Sequence, residues 1–319
     1  MKALIRDRYG TADVLEVREI ERPAPRQGEV LVRVHAASIN DWDWRLLQGP
    51  SLSRGAPRIR ILGSDIAGRV AAVGSAVQRF QLGDEVYGDL SRFGPGGWGG
   101  FAEYVCAAER ALARKPARMT FEQAAALPQA GQLAVQGLFA AGPLRRGLKI
   151  LINGAGGGVG TTAIQLAKLQ DVEVTGVDSA VKFEMMRRIG FDRLIDYREE
   201  DFTKNGRLYD LILDTKTSRS PFEYARSLNP GGTYATVGGD LPRLFHCVIF
   251  GWWIRLIANK TVRLVLLKPN RDLPYLNERF EAGQLMPVID GLYKLSEARA
   301  AFQRFGTGNH KGKVVITME

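Results

Sequence analysis

The chain has 319 residues, of which 45% are hydrophobic, 24% charged and 9% aromatic, and 44 Lys and Arg against 34 Asp and Glu leave a formal net charge of +10. This composition excludes a disordered chain, a collagen and a coiled coil, and the length suggests about two domains. Only two cysteines occur, Cys106 and Cys247, too few for a disulfide framework or a Cys-rich zinc site and suited to a reducing compartment.

The basic residues are scattered. Their densest cluster is Arg54, Arg58 and Arg60, and no block of five or six exists, so nucleic acid is not an expected partner. The opening MKALIRDRYG carries charges at positions 2, 6, 7 and 8 and no apolar run, so no signal peptide is expected and the location is read as cytoplasmic. Residues 245–257 are the most apolar stretch but contain His246 and Arg255 and are too short to span a bilayer. With Trp252, Trp253 and neighbouring Arg they fit an interfacial segment; a buried helix lining a pocket or subunit interface is the preferred reading.

The first third reads as β. Short β-branched stretches at 3–5, 14–19 and 30–37 are separated by turn signals at 9–10 and 23–25. Stretches at 66–73, 85–87 and 101–105 continue the pattern, with a glycine-rich loop at 94–100, and together they imply a barrel-like β domain. At Thr120 the pattern changes. Thr120 and Gln123 have capping-box spacing, and helices are expected at 121–127 and 131–141. Strands at 149–153, 173–177, 194–196, 208–214 and 233–237 then alternate with helices at 159–170, 181–189 and 221–228. That alternation implies βαβ units and a parallel, doubly wound sheet, so the class is α/β. A helix at 296–305 and a strand at 313–317 close the chain.

The turn after the strand at 149–153 reads Gly154, Ala155, Gly156, Gly157, Gly158, Val159, Gly160, and a helix follows at once. Glycine permits a tight turn and close backbone approach, and a helix N-terminus offers free N–H groups and partial positive charge to a diphosphate. Two registers of the fingerprint are open: Ala155, Gly157 and Gly160, or Gly156 first with Gly158 second. Asp178, 18 residues past Gly160, stands where a carboxylate bonds the adenosine ribose, which favours NADH. Lys182 is a cation suited to the 2′-phosphate of NADPH, or else part of a solvated helix face.

Several blocks in order resemble the medium-chain dehydrogenase/reductase superfamily, and within it the zinc-independent quinone oxidoreductase-like branch. They are AASINDWD at 36–43, LGSDIAGRV at 62–70, FQLGDEV at 80–86, GGFAEY at 99–104, AAALP at 124–128, the glycine turn, and KGKVVI at 311–316. The resemblance implies a GroES-like β-rich catalytic domain from 1–120 and 265–319, with a Rossmann domain over 121–264 inserted into it. It implies NAD(P)H-dependent hydride transfer to quinones or α,β-unsaturated carbonyls, and a homodimer. Zinc-dependent members place a Cys ligand where Asn40 stands, a His followed by Glu where Ser64 and Asp65 stand, and a third ligand near 129–131. This chain offers no thiolate or imidazole at those positions.

The resemblance assigns Asn40 to the substrate oxygen and places Asp43, Ser64 and Asp65 near the cleft. For Asn40 and Asp43 the alternative is capping a helix. It assigns Tyr197, Gly238, Gly239 and Asn309 to the cofactor, with sheet-edge burial as the alternative for Tyr197. Leu133 departs from the branch's usual Thr, and Lys216 adds a charge near the cofactor. Two other readings stay open: a membrane-surface or partner-binding protein on a reductase scaffold, and a residual alcohol dehydrogenase.

Overall fold

The computed structural model describes residues 1–49, 56–91 and 97–318; Arg54 and positions 94–96 of the expected glycine-rich loop lie outside them. In chain order the first elements are β1 (Lys2–Ile5), β2 (Glu16–Glu19), β3 (Glu29–Ser38), α1 (Asp41–Gln48), β4 (Asp65–Val73), β5 (Glu85–Asp89), β6 (Tyr104–Ala108), β7 (Ala113–Arg114), α2 (Phe121–Ala125) and α3 (Pro128–Leu138). The middle contains β8 (Lys149–Asn153), α4 (Gly158–Ala167), β9 (Glu173–Asp178), α5 (Phe183–Arg188), β10 (Arg193–Asp196), β11 (Tyr209–Asp214), α6 (Pro221–Arg226), β12 (Leu228–Thr236), α7 (Leu241–Ala258) and β13 (Thr261–Leu264). The chain closes with α8 (Leu273–Glu281), β14 (Ile289–Lys294), α9 (Ala298–Gly306) and β15 (Lys313–Thr317). Two compact units result, one of residues 1–132 with 268–319 and one of residues 133–267.

In the first unit β3 is the organising strand. It pairs antiparallel with β4 along its length, with β6 over residues 29–33, and with β15 over residues 36–38. The sheet order is β14-β15-β3-β4-β5-β7, so strands from both chain ends share one sheet. Inward positions of β3, β4, β5 and β15 (Val32, Ile66, Val86, Val314) form one core with Phe101 and Phe302. Those two rings meet edge to face at 5.6 Å, and burying each contributes about 2–3 kcal/mol. The capping box is formed: Gln123 N donates to Thr120 Oγ1 at 3.2 Å, and Thr120 N donates to Gln123 Oε1 at 3.0 Å. The helix so started packs on β3 and β4, with Phe121 stacked on His35 at 4.2 Å. Residues 121–132 thus lie with the β-rich unit, although the change of pattern at 120 set the expected boundary there.

The second unit is a six-stranded sheet in the order β10-β9-β8-β11-β12-β13, with every pair parallel. Strands β8 and β11 are apolar through Ile150, Leu151, Ile152 and Leu211, Ile212, Leu213, all buried, as a sheet covered on both faces requires. The order reverses between β8 and β11, which makes their C-terminal ends the switch point where such sheets bind ligands.

Within its own unit helix α7 is not a buried helix. Only Cys247, Gly251 and Ile254 are buried, a narrow stripe facing β13. Gly251 permits this approach: a Cβ there would lie 3.1 Å from the Val262 carbonyl oxygen. The rest of the helix is apolar yet turned to solvent. By length and composition it is long and apolar enough to cross a membrane.

Gly160 sets the approach of α4 to the turn after β8. A Cβ at that position would lie 2.4–2.6 Å from the backbone of Ala155, where neither chain segment can yield cheaply. Gly160→Ala should lower stability by about 1–3 kcal/mol, seen as a reduced thermal midpoint, and should weaken dinucleotide binding in a fluorescence titration.

Candidate functional site

The glycine turn sits at the switch point. Gly154 has φ +80°, a conformation open to glycine, and its carbonyl accepts from Gly157 N at 3.2 Å. Gly157 is the N-cap of α4, with no side chain capping the helix and no acidic residue in its first turn. The N–H groups of Gly158, Val159 and Gly160 therefore start the helix without intrahelical acceptors. A Cβ on Gly157 would meet only the Gly154 carbonyl, at 3.5 Å, so this side of the turn is open. Free donors, an open approach and a helix dipole fit a dinucleotide diphosphate. Lys216 packs against the turn, 3.2 Å from a Cβ on Gly154, and its side chain is exposed.

Asp178 ends β9 beneath this turn. Its Oδ2 accepts from Gly156 N at 2.8 Å and its Oδ1 accepts from Ser179 N at 2.8 Å. Lys182 Nζ lies 3.0 Å from Oδ1, and both side chains are over nine-tenths buried. Lys182 is therefore not part of a solvated face. The carboxylate holds the turn to the sheet and is neutralised by its own neighbour. Tyr197 follows the edge strand β10 and is 53% exposed, with the Arg198 guanidinium over its ring, so sheet-edge burial does not describe it. Gly238 and Gly239 follow β12. Gly238 O accepts from Thr217 N at 3.2 Å and Asp240 N donates to Thr217 O at 2.8 Å, which ties this loop to the one after β11. Asn309 belongs to the other unit, on the loop between α9 and β15, where its carbonyl accepts from Arg304.

In the first unit Asn40 is the N-cap of α1 and 5% exposed. Asp43 is fully buried, with Oδ2 accepting from Asn40 N and Oδ1 from Gly63 N, each at 2.8 Å. It clamps the start of α1 to the turn before β4, as a helix-start carboxylate does. Ser64 and Asp65 are also fully buried. Asn40 Nδ2 lies 3.4 Å from Ser64 Oγ. Asp65 accepts from Gln129 N at 3.2 Å and from Ser38 Oγ at 3.4 Å.

One residue at the centre of this cluster was not among those singled out. Lys313, the first residue of β15, is buried. Its Nζ donates to Ile39 O at 3.0 Å and to Asn40 Oδ1, and lies 3.7 Å from Asp65 Oδ2. An ammonium has donors only, so the Asn40 atom facing it must be the oxygen, and the Nδ2 group points the other way. Burial lowers the Lys313 pKa, opposed first by Asp65. Burial likewise raises Asp65, with Lys313 pulling against it. The signal in sequence was a lysine heading Val314, Val315 and Ile316, three wholly buried residues.

The positions where zinc-dependent relatives carry ligands hold the Asn40 amide, the Ser64 hydroxyl followed by Asp65, and Gln129; the amide oxygen and the Asp65 carboxylate both face Lys313. Among the described residues no three His, Cys, Asp or Glu groups are arranged to hold a metal. One carboxylate held by a cation, with no thiolate or imidazole, is a donor set that does not fit zinc.

The second unit is thus a Rossmann-type dinucleotide fold, and comparison with known proteins extends the classification. Residues 26–117 match the family described as alcohol dehydrogenase GroES-like domain, and residues 189–316 the family described as zinc-binding dehydrogenase. The 2-methylene-furan-3-one reductase of Solanum lycopersicum is 32% identical over 99% of this chain and 79% of its own length. The chloroplastic quinone-oxidoreductase QR1 of Triphysaria versicolor is 31% identical over 99% of this chain and 98% of its own. The structure of the quinone oxidoreductase from Coxiella burnetii matches with TM-score 0.85 at 29% identity, covering 100% of this chain and 99% of that one. The chain belongs to the medium-chain dehydrogenase/reductase superfamily, in its zinc-independent quinone oxidoreductase-like branch.

Asp43 gives a stability prediction with a defined sign. Burial raises its pKa to about 7, against about 3.9 in an unfolded chain. Between those values the folded state holds the extra proton, so the stability it contributes is complete below about pH 4 and is lost as pH rises through about 7. Asp43→Asn removes that slope and leaves one of two backbone N–H groups without an acceptor, at a cost of about 1–3 kcal/mol. Denaturation midpoints between pH 5 and 8 should therefore be lower and flatter in the variant.

Proposed function

We propose that the protein is an NADPH-dependent, zinc-independent reductase of quinones and of α,β-unsaturated ketones and aldehydes, acting as a cytoplasmic homodimer. The observation that carries the reading is the Asn40 amide, fixed through its oxygen by Lys313, with Nδ2 toward Ser64 Oγ at 3.4 Å as the donor assigned to the substrate. Oxidation of a simple alcohol needs its hydroxyl activated, and nothing in this cluster fits a Lewis acid. A quinone or enone is already polarised, so a site need only position it and stabilise the oxyanion that develops. Asn40 Nδ2 is suited to donate to that oxygen. Asp43, Ser64, Asp65 and Lys313 act through Asn40 and the turn before β4 and are positioning residues. The named activities of the tomato furanone reductase and the QR1 quinone oxidoreductase support the acceptor class.

When bound, the nicotinamide supplies the hydride. The residues assigned to hold the cofactor are Gly154 through Gly160, Asp178, Lys182, Tyr197, Gly238, Gly239 and Asn309. A lone carboxylate at Asp178 would repel a 2′-phosphate. Here Lys182 cancels that charge, and Lys216 adds a cation beside the turn. The corner therefore tolerates NADPH, and an Arabidopsis thaliana relative named as an NADPH-dependent alkenal/one oxidoreductase supports the preference. The two free cysteines suit the cytoplasm.

Cofactor consumption with NADPH and NADH against a quinone, an enone and an enal tests the whole reading; binding of neither cofactor would end it. Lys182→Met leaves Asp178 unpaired and should lower the NADPH-over-NADH preference about tenfold or more. Lys313→Met should lower kcat for enone reduction about tenfold while cofactor affinity holds, and Lys313→Arg should recover part of it. Equal losses in both variants, or a change in cofactor affinity alone, would remove Lys313 from a positioning role.

A further inference from the structure

The face of α7 that turns away from the sheet has no role in the chemistry above. At 100° per residue, its exposed apolar side chains run from Val248 through Trp252, Phe245, Leu256 and Trp253 to Phe250, an arc of about 200°. Trp252 is 68% exposed and Leu256 67%, and both lie near the crest opposite the buried stripe. Arg255 borders one margin of the arc and Arg243 the other. The 31 residues 241–271 contain six Lys or Arg and no Asp or Glu. Among the described residues no carboxylate lies within ion-pair distance of Arg243, Arg255 or Arg263.

We propose that this ridge docks the protein on an anionic lipid surface, with α7 lying in the plane of the headgroups. Three observations favour lipid over a second copy of the chain. An apolar arc wider than a half-circle is a convex crest; a facing protein surface covers one side of it, whereas a fluid interface covers all of it. Paired tryptophans suit the boundary between acyl chains and headgroups. Cations at both margins, with no acid among them, complement phosphate and carboxylate headgroups. The stripe of Cys247, Gly251 and Ile254 against β13 holds the helix to the sheet, so it lies on the membrane and does not cross it. The proposal does not depend on which acceptor the enzyme reduces.

The test is co-sedimentation of the full chain with vesicles of phosphatidylcholine alone and with about a third phosphatidylserine. The expected result is binding to the anionic vesicles, at least about tenfold weaker to neutral ones, and falling with added salt. A doubly substituted protein, Trp252→Ser with Leu256→Ser, should lose that binding by about tenfold or more while keeping its cofactor affinity and thermal midpoint. Because both residues are exposed, the variant is expected to fold. Equal binding to both vesicle types, or binding unchanged in the variant, overturns the proposal. So does absence of vesicle binding together with a dimer that the variant converts to a monomer in light scattering, which would assign the ridge to a contact between copies.

Discussion

A single buried ammonium constrains the β-rich unit. Lys313 Nζ has to be neutralised where it lies, and its partners come from the end of β3, the cap of α1 and the start of β4. Buried ion pairs contribute little net stability, because desolvation offsets their attraction, but they discriminate strongly between arrangements. Shifting β15 by one residue would place Val314 among the polar groups and turn Lys313 to the opposite face. The correct register is thus the one in which the last strand closes on the first long one, and the chain's two ends form one unit around residues 133–267. The same contact orients the Asn40 amide, so the group that sets the register also sets that side chain.

The second unit uses the same device at smaller scale. Asp178 and Lys182 are four residues apart and buried together, and the carboxylate spends its other lone pairs on Gly156 and Ser179. A pair of this kind serves two ends. It holds the glycine turn against β9, and it leaves the corner beneath that turn without net charge. An acid at the end of the second strand thus carries no net charge by itself once its partner is counted.

The sequence disclosed what depends on backbone conformation and period. Glycines at 154–160 between an apolar strand and an apolar helix have few other uses, and alternating short apolar runs mark a parallel sheet. The Thr120–Gln123 box was readable because both partners are local. What stayed hidden were directions. Asp43, Ser64 and Asp65 are polar residues that the sequence places at the surface of a site, yet all are fully buried. Lys313 stood in plain view in KGKVVI, but only the folded sheet shows that its side chain turns inward. Lys182 was readable as a partner from its spacing of four from Asp178, although a lysine there also suits a phosphate. The contact division falls at 132 and not at the change of pattern near 120, because a change in secondary structure is not a change in packing.

Helix α7 shows the limit of composition most clearly. A helix apolar on all sides reads as buried, because that is the commonest way to keep such a surface from water. Its buried stripe is Cys247, Gly251 and Ile254, Phe250 leans on Phe222 of α6 at 5.4 Å between ring centroids, and Phe245, Trp252 and Leu256 stay exposed. Helix α7 and β13 carry Arg243, Arg255 and Arg263 and no acid. Cations bordering an exposed apolar ridge are the distribution an anionic interface attracts. Helix α7 begins directly after Gly238 and Gly239, whose loop is pinned to Thr217 by backbone hydrogen bonds, so the ridge is an extension of the sheet's own backbone and not a detached arm.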